Sequence, residues 1–165
     1  MRARSILWLV LASGCTFFLP DTRSPADHAR ELTQRCQAFT EEAAAALLSP
    51  VAIDSVEPAY AHVQSGPSFY QAHLRGARVH LRPIAALSRE SITRSLECHQ
   101  SRVVLGAIQG AVDDPYGVPG RWLDIDVDSD KDGFVVQLGS DDMSTARDVL
   151  DRAKRFAAAG RNDHP

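Results

Sequence analysis

The sequence is poor in the patterns that announce a chemistry. Across its 165 residues there is no P-loop, no dinucleotide-binding glycine pattern, no nucleophile elbow, and no CxxC, HxxxH or HExxH spacing. These absences exclude a locally encoded phosphate cradle or zinc site, so any catalytic or metal constellation must be assembled from separate elements. No motif asks for a cofactor. An excess of positive charge is missing as well: 18 Lys and Arg stand against 21 Asp and Glu, which argues against a nucleic-acid partner. The one uninterrupted apolar run near the start, Ile6 to Ala12, is too short to span a bilayer. Cysteine is scarce, with three in all, whereas hydrophobic content of 44% and charged content of 24% are those of a globular chain.

What is present begins at the N-terminus. Arg2 and Arg4 precede the apolar run, and Leu11-Ala12-Ser13-Gly14-Cys15 ends it, which is the order of a secretory signal peptide. Read by itself, such a signal is cleaved and leaves Cys15 behind or as a free thiol. The small-small-Cys ending resembles the lipobox of bacterial lipoproteins, with Ala12 where these signals most often carry Leu. That resemblance implies removal of residues 1–14, acylation of Cys15, and a tether over residues 15–24. Two or three acyl chains, at about 0.8 kcal/mol per buried methylene, hold a protein persistently to a membrane. Thr16 follows the cysteine in place of a retaining Asp, so the resemblance places the protein in the outer membrane, facing the periplasm.

The remaining 151 residues are enough for one domain, expected over residues 25–160, with a polar, disordered tail at 161–165. They carry 16 basic and 21 acidic residues, a net charge of −5. The charge is segregated. Six Arg (75, 78, 82, 89, 94, 102) lie between Tyr60 and Leu105 against Glu90 and Glu97, and eleven Asp lie between Asp113 and Asp151. The two stretches should attract each other or form faces of opposite sign. Cys36 and Cys98 are the pair left over in an exported chain, and they are expected to form a disulfide.

Periodicity gives the order helix, strand pair, helix, strand pair, helix. Ser24-Pro25 opens the first helix, whose stripe Ala29, Leu32, Cys36, Phe39, Ala43 and Leu47 predicts one element ending at Ser49-Pro50. Residues 56–64 and 76–82 read as strands, the second alternating Ala77, Val79 and Leu81 with Arg78, His80 and Arg82. Between them, Phe69 and Tyr70 either cover the sheet edge or form an aromatic contact platform. Ser88 opens a helix to about Gly106 with Ile92, Leu96, His99 and Val103 as its stripe and Cys98 and Leu105 on a flanking line. Residues 111–121 are loop. Leu123, Ile125 and Val127, then Phe134, Val136 and Leu138, mark a hairpin, and a last helix from about Asp141 has Met143, Ala146, Leu150, Ala153 and Phe156 inward and Gly160 as its stop. The expected fold is α+β, one antiparallel or mixed sheet with helices on one face. Glu97-Cys98-His99, Asp114-Pro115-Tyr116 and Trp122-Leu123-Asp124-Ile125 bear a faint similarity to small uncharacterised myxobacterial lipoproteins, a resemblance that implies no activity.

Three sets of side chains stand out. Asp128, Asp130 and Asp132, before Gly133, alternate as calcium-loop ligands do. Lys131 within the row and Gly139 at the bidentate-Glu position favour a plain hairpin turn. His62, His73, His80 and His99 with Cys98 could hold copper or zinc, although a core histidine beside a disulfide cysteine is the simpler reading. Arg78, His80 and Arg82 could meet an anionic partner or serve as the solvated face of an edge strand. The functional expectation is a non-enzymatic lipoprotein that binds an envelope partner through the basic strand or the loop at 107–121, with metal binding as the alternative.

Overall fold

The structure, a computed structural model, describes residues 23–64 and 70–162. The alternating stretches form two hairpins: β1 (Ile53–Gln64) with β2 (Tyr70–Leu81), and β3 (Asp124–Asp130) with β4 (Gly133–Gly139). β2 also pairs with β4, so the order is β1-β2-β4-β3 and every pairing is antiparallel. Directly opposed residues of an antiparallel ladder share a face. Val56, Val79, Val136 and Val127 therefore form one row across all four strands. Against this face lie α3 (Arg89–Val104), over β3, and α4 (Met143–Asn162), over β1 and β2. Ile92 and Leu96 from α3 and Val149 and Ala153 from α4 join the strand valines in one core. Each such side chain contributes about 1.5–3 kcal/mol on burial. The fold is a single α+β domain with its helices packed against the sheet, as the pattern predicts.

Two helices start where their caps say. Ser24 and Asp27 close a capping box on α1 (Pro25–Thr33), and Ser88 and Ser91 close another on α3. The first helix, however, is not continuous to Ser49. It ends at Thr33, and the chain turns before the single helical turn α2 (Glu41–Ala44). The Thr33 hydroxyl bonds back to the Ala29 carbonyl at 3.1 Å, and Thr40 caps α2 by accepting from Ala43 N. Arg102 of α3 donates to the Phe39 carbonyl at 2.8 Å and lies over its ring. Tertiary contacts with α3 override a periodicity that propensity alone would have continued.

Three smaller expectations are corrected. Leu105 and Met143 are 39% and 49% exposed, because each sits at a helix end beyond the sheet. Gly160 does not stop α4, which runs on to Asn162. Its role is close approach: a Cβ there would strike the Pro50 backbone in the short 3-10 turn (Pro50–Ala52) ahead of β1. The remaining surprise is length. β4 pairs only with Gly76–Leu81 of β2, so the β1–β2 hairpin runs on past the sheet as a two-stranded ribbon. Gly76 marks the junction, at φ 146° and against the Leu138 carbonyl, beside a bulge in the β1–β2 register.

Cys36 and Cys98 are bonded, with Cα atoms 5.4 Å apart, and are 7% and 1% exposed. The bridge joins the turn after α1 to α3, not two helices. Replacing both cysteines with Ala is expected to lower the unfolding free energy by about 2–4 kcal/mol. Urea denaturation of wild type with and without reductant checks it: an unchanged midpoint on reduction would show that the bridge contributes nothing.

Candidate functional site

The basic row lands where alternation puts it, on the sheet face opposite the helices, but carboxylates hem it in. His80 Nε2 lies 3.8 Å from Glu57 and Arg82 Nε 3.9 Å from Asp54, both acids on β1. Arg78 stands between Glu57 and Gln137 in the ladder and forms no ion pair within 4.0 Å among the described residues. Of the six Arg of the basic stretch, Arg75 alone pairs with the acidic stretch among the described residues, and the other pairs of that stretch use bases outside the basic one. Arg75 pairs with Asp124 and Asp141, Arg121 with Asp142, and Arg155 with Asp113. Exposed pairs of this kind contribute about 0–1 kcal/mol each.

The calcium-like row does not converge. Asp128 faces the open side of the sheet beside Gln137, and Asp130 accepts from the Lys131 amide, as a hairpin-turn carboxylate does. Asp130 and Asp132 line a cleft of about 310 Å³ with Asp54, but His80 and Arg82 line it too. Among the described residues no three His, Cys, Asp or Glu side chains are gathered in a metal-holding group. The histidine set is likewise scattered: His62 and His73 are on the ribbon, His80 is on the open face, and Cys98 is consumed in the disulfide. Cys15, residues 65–69 and residues 163–165 lie outside the described residues, so lipidation and the packing of Phe69 are not placed, whereas Arg161 and Asn162 of the expected tail continue α4.

Among the described residues, a buried constellation of ionisable side chains forms around His99. α3 carries it inward on the same stripe as Leu96 and Val103, and its ring is held at both ends. Nδ1 lies 2.8 Å from Glu41 Oε2 on α2, and Nε2 lies 2.7 Å from Asp114 Oδ2. Asp114 is 4% exposed, and its other oxygen accepts from Tyr116 N at 2.9 Å. Burial alone would depress the imidazole's pKa. The hydrogen bond and charge of Asp114, then those of Glu41, outweigh that and raise it above the ordinary 6.5. Beside the triad is a cavity of about 320 Å³, lined otherwise by Ala45, Leu48, Ala111 and Phe156. Glu41 Oε1 and the Tyr116 hydroxyl are buried without a hydrogen-bond partner among the described residues. Burial, and secondly the Asp114 charge, push the Tyr116 phenol well up, so it stays neutral.

This geometry decides what His99 can do. A general base needs one ring nitrogen with a lone pair facing its substrate. Here both nitrogens donate to carboxylates, so the ring is an imidazolium clamp between α2 and the 105–123 segment. The sequence pointed to a core histidine but not to its partners, since Glu41 and Asp114 are 58 and 15 residues away. Asp114-Pro115 signals a turn and nothing in it signals the second carboxylate oxygen. The clamp also changes the reading of the 107–121 loop. Residues 114–118 are buried, while Ala107, Ala111 and Val112 before them stay exposed. Its middle is core, not a free docking surface.

Because the folded His99 binds its proton more tightly than the unfolded one, the clamp stabilises fully below about pH 6.5 and is lost as pH rises through the raised value. Urea unfolding between pH 6 and 9 should therefore show stability falling with pH, and His99→Gln should remove that slope. Asp114→Asn should lose about 3–5 kcal/mol at the acidic end, as for a broken buried ion pair. No family model, curated protein or solved structure matches the chain.

Proposed function

We propose that the chain is an exported lipoprotein, anchored through Cys15 in the outer membrane and facing the periplasm, that works by binding an envelope partner. The observation that carries this reading is the buried Cys36–Cys98 bridge, which belongs to an oxidising compartment and agrees with the lipobox-like start. Binding is favoured over catalysis because the buried imidazole is spent on its two carboxylates. Of the basic row, Arg78 is the residue left to recognise an anionic group, in the middle of an open sheet face.

Cells fed labelled palmitate should yield a labelled protein in the membrane fraction, and Cys15→Ala should abolish the label and release the chain. An unlabelled wild type would overturn the anchor. Crosslinking of intact envelopes should then capture a partner from wild type, and Arg78→Glu should lose it while keeping the wild-type unfolding midpoint. Equal capture by both would remove Arg78 from the interface.

A further inference from the structure

The two carboxylates of the His99 clamp are not held alike. Asp114 is the inner partner: its side chain is 6% exposed, it meets Nε2 at 2.7 Å, and its second oxygen accepts from Tyr116 N. Glu41 is the outer one. Its side chain is 31% exposed, on a helix of four residues, and its second oxygen has no hydrogen bond but lies 3.9 Å from Arg102 Nη1. Both carboxylates also wall the cavity of about 320 Å³ that Ala45, Leu48, Ala111 and Phe156 complete. From α4 only the uncharged Phe156 faces this cavity, while Arg152 and Arg155 of that helix are paired with Asp148 and Asp113. On the loop side Tyr116 stays neutral.

We propose that the clamp is a one-sided latch on this cavity: when His99 loses a ring proton, Asp114 keeps its hydrogen bond, Glu41 lets go, and the cavity opens beside α2. A neutral imidazole has one N–H and one lone pair, so it can donate to only one of its two carboxylates. Its lone pair is left facing the charge of the other, 2.7 or 2.8 Å away. Asp114 retains the N–H, because a buried carboxylate stripped of its donor costs more than one that can turn to water. Glu41 can turn outward, and Arg102 beside its free oxygen gives it a cation to follow. Nδ1 is then bare at the cavity wall. Burial works against the ring's charge, but the bond and charge of Asp114, then those of Glu41, hold the proton past the ordinary 6.5. The latch is therefore shut below about pH 6.5 and opens as pH rises through the raised value.

Nitrogen NMR spectra of the imidazole rings of the full-length chain, with His99→Gln identifying the signal, test which side lets go. The titration should end in the tautomer that carries the proton on Nε2 and leaves Nδ1 bare. The opposite tautomer, or a ring that keeps both protons until the chain unfolds, would overturn the proposal. Opening is read from Leu48→Cys, a half-buried position on the cavity wall, by its rate of alkylation with iodoacetamide. Adding Glu41→Gln supplies an amide that donates to the bare nitrogen, so the cavity should stay shut around the neutral ring. The ratio of the rate with Glu41 to the rate with Glu41→Gln, in which the thiol's own titration cancels, should rise several-fold across the transition, and a flat ratio would sink the latch.

Discussion

Backbone that belongs to neither helix nor strand can enter a core only if its polar groups find partners there. In this chain Gln100 and Arg102 of α3 supply such partners, and the residues beside them tie down the same segments by other bonds. Cys98 holds the turn after α1 through the disulfide, and His99 holds α2 and Asp114. Gln100 takes both the amide and the carbonyl of Leu123, at 3.0 and 3.1 Å, and so fixes the entry to β3. Ser101 donates to the Ala29 carbonyl of α1, and Arg102 to that of Phe39. The long segments before β1 and before β3 are organised by one helix, and the sheet is completed around it.

This arrangement makes polar burial, as much as apolar area, the source of a unique structure. Gln100 is fully buried and Ser101 nearly so, and each is satisfied by backbone of another segment. A buried amide that lost its partner would cost about 1–3 kcal/mol. At the start of α4 the bonds are made in the open, by the exposed Asp142 that precedes it. The Asp142 carboxylate accepts from Thr145 N, Thr145 Oγ1, Ser144 Oγ and Arg121. The bonds from Ser144 and then Thr145 draw its pKa well below the usual range.

The functional reading follows from what these bonds use up. The buried histidine and the two cysteines of the domain, the residues most suited to chemistry, are committed to holding the fold. What remains outward is an open sheet face with Arg78 at its middle and a ribbon that extends past the sheet. The proposed binding role rests on these surfaces.

The local pattern of the sequence determined the elements: alternation marked the inner strand faces, Ser24 and Ser88 marked helix starts, and Ala77, Val79, Val127, Val136 and Leu138 fall in the core where period two puts them. It also named the disulfide pair, once the lipobox-like start had set Cys15 apart from Cys36 and Cys98. The tertiary structure alone decided the break after Thr33, the burial of the loop at Asp114 to Val118, the fate of the acidic row beside its hairpin, and the partners of His99. The reason is range. Periodicity and capping act within a few residues and are written locally, whereas an imidazolium held by carboxylates 58 residues behind it and 15 ahead exists only once packing has brought the three together.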